Sequence, residues 1–196
     1  MRDEQRRIRK GLDAKTRLIL DQNIVDVLAK NMVLRRDMHI ALYAAVGSEV
    51  GTLPLDQLFR SVGAKVFYPR IDDQSQDLHF VLVVDPERDL ASSHYNIPEP
   101  LGAAMPAEAL DLIILPGLAF DLKGGRLGQG KGYFDRALKD YGGLCIGLAY
   151  SCQIIDEVPC LDHDRRIDVL ICEDGLYWIN PKDARRDSFA RGSGDE

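Results

Sequence analysis

A glycine-rich stretch with two interleaved cations is the part of the sequence best suited to chemistry. Five glycines fall within the nine positions 124–132, and Arg126 and Lys131 stand among them. Glycine lets backbone N–H groups surround an anion, and the N-terminus of a following helix adds partial positive charge. Arg offers a planar fork to phosphate oxygens, and Lys offers a compact charge. The stretch predicts a cradle for nucleotide phosphates; a tight packing turn without a ligand is the alternative.

The spacing of the glycines separates this stretch from two common phosphate-binding loops. It lacks the Ser or Thr that holds Mg²⁺ in a P-loop. It also lacks the dinucleotide spacing, because Gly132 follows Gly130 one position too early. Asp135 lies just beyond, where a carboxylate could reach a Mg²⁺ ion bound to phosphate.

The elements around this stretch predict an α/β fold. An apolar strand over 110–115 leads into it, and a helix over 133–140 leads out. Further predicted strands cover 39–46, 64–68, 78–84, 144–149 and 167–172. Because the strands of the C-terminal half are almost wholly apolar, they indicate a parallel sheet covered on both faces. We expect a single three-layer domain over 1–180, with a mainly parallel central sheet flanked by helices.

The remaining segments are predicted to be two helices, a loop and a disordered tail. A basic first segment with a break near Gly11 and a second segment over 54–62 read as helices, while 91–107 reads as a loop. The polar residues 181–196 predict a disordered tail.

Open α/β sheets bind ligands beyond the carboxyl ends of their strands, which is where the glycine-rich stretch begins.

Composition and charge narrow the function classes. The chain has 196 residues and a formal net charge of −6, which argues against a general nucleic-acid binder. No apolar run approaches the length of a membrane span, and the start of the chain lacks an apolar signal region. We therefore expect a cytoplasmic protein with no nucleic-acid or membrane partner. The four cysteines form no C-x-x-C motif and are expected to be buried free thiols.

Four further positions have both a functional and a structural interpretation. The acidic run 162–168 could help hold Mg²⁺, or it could be a solvated turn of paired charges. Glu49 follows a strand end and could contact a ligand, or it could belong to the turn before a helix capped by Thr52. The basic start of the chain could touch phosphate or be a solvated helix face. Tyr95 could stack on a flat ligand or pin its loop to the core.

Together these residues resemble the 5-formyltetrahydrofolate cyclo-ligase family. The resemblance rests on Leu-Pro-Gly-Leu-Ala-Phe-Asp at 115–121 followed by Gly-Arg-Leu-Gly-Gln-Gly-Lys-Gly-Tyr-Phe-Asp-Arg at 125–136. It extends in the same order to positions 8–9, Glu49 with Thr52, positions 68–70, 96–100 and 164–168. The similarity therefore covers about residues 5 to 173.

The resemblance implies an enzyme that uses ATP and Mg²⁺ to convert 5-formyltetrahydrofolate to 5,10-methenyltetrahydrofolate, through a phosphorylated formyl group. It implies a small-molecule substrate, and we expect a monomer. Lys131, Arg126 and Tyr133 would be catalytic, and Asp135 and Asp164 would hold the metal. The implied ATP contacts are Arg9, Arg126, Leu127, Gly128, Gln129, Gly130, Lys131, Gly132, Tyr133 and Phe134. The implied folate contacts are Ala44, Glu49, Tyr95, Gln129, Gly130, Lys131, Gly132 and Tyr133.

The chain departs from the family pattern at a few positions, which keeps other functions open. Gln5 stands where many members carry Lys, so Arg6 is the candidate replacement. Phe134 replaces a frequent Tyr, and Gln129 stands where some members carry Arg. The alternatives are a related ATP-dependent enzyme acting on another small acid, or a non-catalytic relative that binds folate or nucleotide.

Overall fold

A mixed sheet with a parallel centre forms the middle layer of the computed structural model, which describes residues 1–72, 74–92, 98–100, 102–160 and 164–190. Within these residues the sheet has eight strands, in the spatial order β12 (Gly175–Trp178), β11 (Val169–Cys172), β10 (Leu144–Leu148), β7 (Leu112–Leu115), β1 (His39–Ala41), β2 (Lys65–Ile71), β3 (Leu78–Leu82) and β6 (Ala104–Met105). Strands β11, β10, β7, β1 and β2 are mutually parallel. At the edges, β12 runs antiparallel to β11 and β3 runs antiparallel to β2, while β6 pairs antiparallel with β3.

The central strands are parallel because their sequences are apolar on both faces. Every residue of β7, β10 and β11 is buried. In register, Leu112 pairs with Leu144 on one side and with Ile40 on the other. A strand without a polar face needs a layer on each side, and parallel connections through helices supply those layers. The predicted α/β class with a mainly parallel central sheet is confirmed.

Helices and a small hairpin cover the two faces. The helices are α1 (Arg2–Lys10), α2 (Ala14–Asn31), α3 (Leu53–Ser61), α4 (Pro86–Asp89), α5 (Tyr133–Ala137) and α6 (Arg186–Phe189), with short 3-10 turns at Ala107–Ala109 and Ser151–Gln153. Ile24 and Leu28 of α2 pack with Phe59 of α3 in the core on one face. On the other face, Phe120 and Leu138 belong to a second buried cluster. Phe120 lies in a hairpin formed by β8 (Ala119–Phe120) and β9 (Arg126–Leu127). Elsewhere, β4 (Leu90–Ser92) pairs antiparallel with β5 (Pro98–Pro100).

Several predicted boundaries were wrong. The strand predicted over 39–46 ends at Ala41, the helix predicted over 133–140 ends at Ala137, and the segment predicted as a loop over 91–107 contains short strands. The edge strand β12 was not predicted. Strand β2 continues through Pro69, although proline was expected to end it. The Phe67 carbonyl accepts a hydrogen bond from the Leu42 N–H on the side of β1. The nitrogen of Pro69, two residues later, faces the same side but lies beyond the end of β1, so its lack of an N–H breaks no hydrogen bond between β1 and β2.

Residues 181–190 do not form the disordered tail that their composition predicted. Phe189 is buried against the core, its carbonyl accepts from the Val33 N–H at 2.7 Å, and the Arg35 guanidinium lies 5.6 Å from its ring. Arg185 donates to Asp168 at 2.6 Å. The buried Phe189 ring and the ion pair between Arg185 and Asp168 therefore hold in place a polar segment that composition alone predicts to be disordered. Residues 191–196 lie outside the described residues.

The cysteines differ in their exposure. Cys145 and Cys172 are buried as expected, but Cys152 is exposed. Among the described residues, no helix combines the length and apolarity needed to cross a membrane.

Candidate active site

A cavity of about 440 Å³ lies beyond the carboxyl ends of β1, β2 and β7. This is the edge of the sheet at which open α/β folds bind ligands. Part of the lining is apolar, and the rest comes from the glycine-rich stretch and the start of α5. The lining residues are Ala44, Val46, Glu49, Pro69, Ile71, Leu78, Pro116, Gly117, Arg126, Gly128, Gln129, Gly130, Lys131, Gly132, Tyr133, Phe134 and Asp135.

The glycine loop, residues 128–132, adopts a backbone that requires glycine at two positions. Gly130 has φ +95° and Gly132 has φ +68°, both in the left-handed region that side chains disfavour. Gly132 is also the N-cap residue of α5. Within the described part of the chain, the backbone N–H groups of Gly130 and Gly132 donate to no other residue. Such N–H groups, facing a cavity, are suited to hold an anion.

Arg126 lies at the base of this loop and is almost fully buried. Its side chain is 5% exposed, and its Nη2 donates to Asp135 Oδ1 at 2.6 Å. Its guanidinium lies 5.8 Å from the centre of the Phe134 ring. Within the described residues, the buried Nε has no hydrogen-bond partner. Arg126 lines the cavity, so its guanidinium places a positive charge beside any phosphate bound there.

The carboxylates of the site suit a metal ion held mainly by phosphate. Asp135 lines the cavity, and one of its oxygens is engaged by Arg126. The described residues contain no group of three or more His, Cys, Asp and Glu side chains that could hold a metal ion. Mg²⁺ is commonly bound by one or two carboxylates together with substrate phosphates. Asp135 fits such a role, whereas a metal enclosed by protein ligands does not fit.

None of the described residues of the acidic run 162–168 lines the cavity. Asp168 precedes β11 at the amino end of the sheet, where its carboxylate accepts from Arg185, Arg165 and the Cys145 N–H. It is therefore a structural residue of paired charges. Asp164 is not among the lining residues. Asp162 and His163 lie outside the described residues.

Helix α1 supplies two cations to the glycine loop. Arg2 Nε donates to the Gly128 carbonyl at 3.1 Å, and Arg6 Nη2 donates to Gln129 Oε1 at 3.0 Å. The proposed replacement of the usual Lys by Arg6 is therefore spatially possible. Gln5, in contrast, is buried. Sequence reasoning missed Arg2; its spacing of four residues from Arg6, which places both on one helix face, was the available signal.

Arg9 lies behind the cavity wall and is not among the residues that line it. Its side chain is 6% exposed. Nε donates to Ser48 Oγ at 3.2 Å and Nη1 donates to the Gly117 carbonyl at 3.1 Å, while Nη1 lies 3.8 Å from Glu49 Oε1. The sequence predicted a contact with nucleotide, but the structure pairs Arg9 with the loop that carries Glu49.

Glu49 is a largely enclosed carboxylate that lines the cavity and lies beside Gln129 of the glycine loop. Its Oε2 accepts from the Val46 N–H at 3.0 Å, and its side chain is 14% exposed. Burial raises its pKa, while the Val46 N–H, the Arg9 charge and a hydrogen bond from Gln129 oppose this rise. Glu49 therefore offers a desolvated acceptor beside the apolar residues Ala44 and Val46.

Tyr133 closes the cavity on the side of the β2–β3 turn. Its hydroxyl donates to Gln76 Oε1 at 3.0 Å, and the Lys131 ammonium lies 5.9 Å from its ring centre. Arg136 donates to the Gln76 carbonyl at 3.3 Å. Gln76 was not singled out by sequence reasoning, and nothing in its local pattern distinguishes it.

Most of the predicted site residues meet in one cavity. Leu127 is instead buried against Leu118 and Val158, where it supports the hairpin below the glycine loop. Arg9 and Asp164 lie outside the lining, and Tyr95 lies outside the described residues. The predicted residues that line the cavity are Ala44, Glu49, Arg126, Gly128, Gln129, Gly130, Lys131, Gly132, Tyr133, Phe134 and Asp135.

Comparison with known proteins identifies the family. The sequence pattern of the 5-formyltetrahydrofolate cyclo-ligase family matches residues 1–173. The chain belongs to this family. It is therefore a ligase of one-carbon folate metabolism, as the resemblance predicted.

Similar proteins match most of the chain. It is 29% identical to the 5-formyltetrahydrofolate cyclo-ligase of Haemophilus influenzae over 81% of this chain and 88% of that protein. It is 29% identical to the cyclo-ligase of Mus musculus over 89% of this chain and 92% of that protein. The solved 5,10-methenyltetrahydrofolate synthetase of Aquifex aeolicus superposes with a TM-score of 0.80 at 30% identity, covering 91% of each chain. These matches confirm the fold of this cyclo-ligase family member.

Proposed function

We propose that this enzyme closes 5-formyltetrahydrofolate to 5,10-methenyltetrahydrofolate, with ATP as the phosphoryl donor and Mg²⁺ as its counter-ion. One observation carries the proposal. A glycine loop contacted by cations and a desolvated carboxylate on an apolar wall line the same cavity, and the Gln129 side chain of the loop hydrogen-bonds to Glu49. Such a cavity suits a polyphosphate and a flat heterocycle held side by side.

The nucleotide end of the cavity is the glycine loop. We assign the ATP phosphates to the backbone N–H groups of Gly130 and Gly132 and to the charges of Arg126 and Lys131. Arg6 and Arg2 reach the same loop from α1. Phosphoryl transfer depends mostly on positioning and on neutralising the charge of the phosphates, which is the contribution that these groups make.

The folate end of the cavity is the wall that carries Glu49. A pterin ring presents an edge of N–H donors, which suits a carboxylate that is already desolvated. Ala44 and Val46 provide an apolar surface for the ring, and Tyr133 borders it from the opposite side. We further propose that the enzyme acts as a monomer.

The proposed reaction has two steps. The formyl oxygen attacks the γ-phosphorus of ATP, and the bond between that phosphorus and the ADP oxygen breaks. N10 of the folate then attacks the formyl carbon and loses its proton to solvent. The ring closes, the carbon–oxygen bond to phosphate breaks, and inorganic phosphate leaves. Arg126 and Lys131 stabilise charge on the transferred group, and Tyr133 orients the folate. Mg²⁺, when bound, neutralises phosphate charge, and Asp135 is the carboxylate that we assign to it.

A spectrophotometric assay tests this proposal. The purified protein is mixed with 5-formyltetrahydrofolate, and the absorbance of the methenyl product is followed with and without ATP and Mg²⁺. We expect product only when both are present. We also expect Lys131→Ala to raise the KM for ATP by about tenfold or more, because the phosphates lose a charge.

Lys139→Ala is the matched control, since Lys139 is an exposed lysine shortly after α5. It should leave the KM for ATP unchanged. Product formation without ATP would refute the phosphoryl-donor role. A folded protein that binds ATP but forms no product would redirect the search to another small acid as substrate.

A further inference from the structure

The loop that carries Glu49, residues 46–52, rests against a buried carboxylate from α2. Oδ1 of Asp21 accepts from the Gly51 N–H at 3.0 Å and from the Tyr150 hydroxyl at 2.8 Å. Asp21 is 7% exposed. Tyr150 follows β10 and is fully buried, so its hydroxyl ties the carboxylate to the central sheet.

The contact between this carboxylate and the loop is close. A Cβ atom added to Gly51 would lie 2.5 Å from Asp21 Oδ2, a separation that folded proteins do not tolerate. The absence of a side chain at Gly51 therefore lets the loop backbone rest directly on the carboxylate. Glu49 lies two residues before this contact, so a shift of Gly51 is transmitted to Glu49 through a short segment.

Stability alone does not account for a carboxylate at this position. Its neighbours on the buried face of α2, including Ile24, Val25 and Leu28, are apolar. Burying a carboxylate costs free energy, and burial raises the pKa of Asp21. A well-packed apolar residue in such a place is often at least as stable. The carboxylate is better explained by the two donors that it brings together.

The other contacts of the loop hold different atoms. Arg9 donates to Ser48, the Tyr43 hydroxyl donates to the Val50 carbonyl at 2.8 Å, and Thr52 donates to the Tyr43 carbonyl at 2.8 Å. Among the described residues, Asp21 alone accepts the Gly51 N–H, so no other contact replaces it.

We propose that Asp21 is a positioning residue for folate binding, which fixes the loop so that Glu49 meets the folate ring. Asp21 lies outside the cavity lining and acts only through Gly51 and Glu49. The inference rests on the proposed function, because it assigns Glu49 to the folate.

Steady-state kinetics of three α2 variants test the inference. Asp21→Ala removes both hydrogen bonds and should raise the KM for 5-formyltetrahydrofolate about tenfold, with the KM for ATP changed less than about twofold. Asp21→Asn keeps an acceptor oxygen for Gly51 and Tyr150, and should restore the folate KM. Val25→Ala removes a buried side chain of the same helix that makes no hydrogen bond to the loop, and should leave both KM values unchanged.

Glu49→Gln separates failure of the inference from failure of the proposed function. If Glu49→Gln leaves the folate KM unchanged, the role assigned to Glu49 is wrong and the inference falls with it. If Glu49→Gln raises the folate KM but folded Asp21→Ala does not, the inference alone is overturned. Should Asp21→Ala fail to fold, Gly51→Ala disturbs the same contact from the loop side, because the added Cβ displaces the loop from Asp21. It should show the same selective rise in folate KM, and an unchanged value would overturn the inference.

Discussion

Arg126 and Asp135 form a largely buried ion pair inside the cavity, with Nη2 and Oδ1 separated by 2.6 Å. The arginine comes from β9 and the aspartate from the first turn of α5, so the pair joins the two ends of the glycine loop. It therefore holds together the two ends of the loop whose glycines line the cavity. The same aspartate is the carboxylate that we assign to Mg²⁺.

Asp135→Asn is expected to increase the Mg²⁺ concentration for half-maximal activity by about tenfold, since the variant loses a charged oxygen but keeps an acceptor for Arg126. The measurement is activity against Mg²⁺ concentration at saturating ATP. Asp140→Asn, which changes an exposed carboxylate beyond α5, is the control. Superimposable Mg²⁺ titrations for Asp135→Asn and the wild type would remove Asp135 from the metal site.

Arg6→Ala is expected to raise the KM for ATP several-fold, because the glycine loop loses one of its two contacts with α1 and a nearby charge. Arg7→Ala is a matched change on the same helix, and Arg7 is exposed. It should have no such effect. Equal KM values for ATP in the two variants would show that α1 contributes only general positive charge.

The folate KM is expected to depend on pH through Glu49. Burial raises its pKa above the ordinary value of 4.5, so the ionised form that accepts from folate is lost at a higher pH than for an exposed glutamate. The KM for 5-formyltetrahydrofolate should therefore rise as pH falls through the acidic range in which Glu49 becomes protonated, approaching about tenfold per pH unit once Glu49 is mostly protonated. The profile of Glu49→Gln should lack this rise, and a parallel profile in the variant would assign the pH dependence to another group.

Phe189→Ala is expected to lower the free energy of unfolding by about 3 kcal/mol, because it removes a buried aromatic side chain from the core. Urea unfolding followed by circular dichroism measures the change. Ser188→Ala, an exposed neighbour whose carbonyl still accepts from Arg35, should cost less than about 0.5 kcal/mol. A loss as small in Phe189→Ala would mean that residues 181–190 contribute little to stability.

Sequence patterns alone were enough to predict the class of fold and the unusual backbone of the glycine loop. The apolar runs of β7, β10 and β11 have only one stable environment, a sheet covered on both faces, so the fold class follows from local composition. Gly130 and Gly132, separated by a single residue, likewise indicate a backbone that can enter the left-handed region. The family motif over 115–136 then identified the reaction class.

Only the tertiary structure decided which of the candidate side chains meet. Arg9 and Arg6 lie one turn apart on α1, yet Arg9 packs under the Glu49 loop while Arg6 reaches Gln129. Asp168 and Asp135 are both acidic residues in motif-like runs, yet Asp168 lies at the amino end of the sheet, bonded to Arg185. The support of Gly51 by Asp21 joins residues 30 positions apart. Such pairings depend on how helices dock on the sheet, and local sequence does not encode that docking.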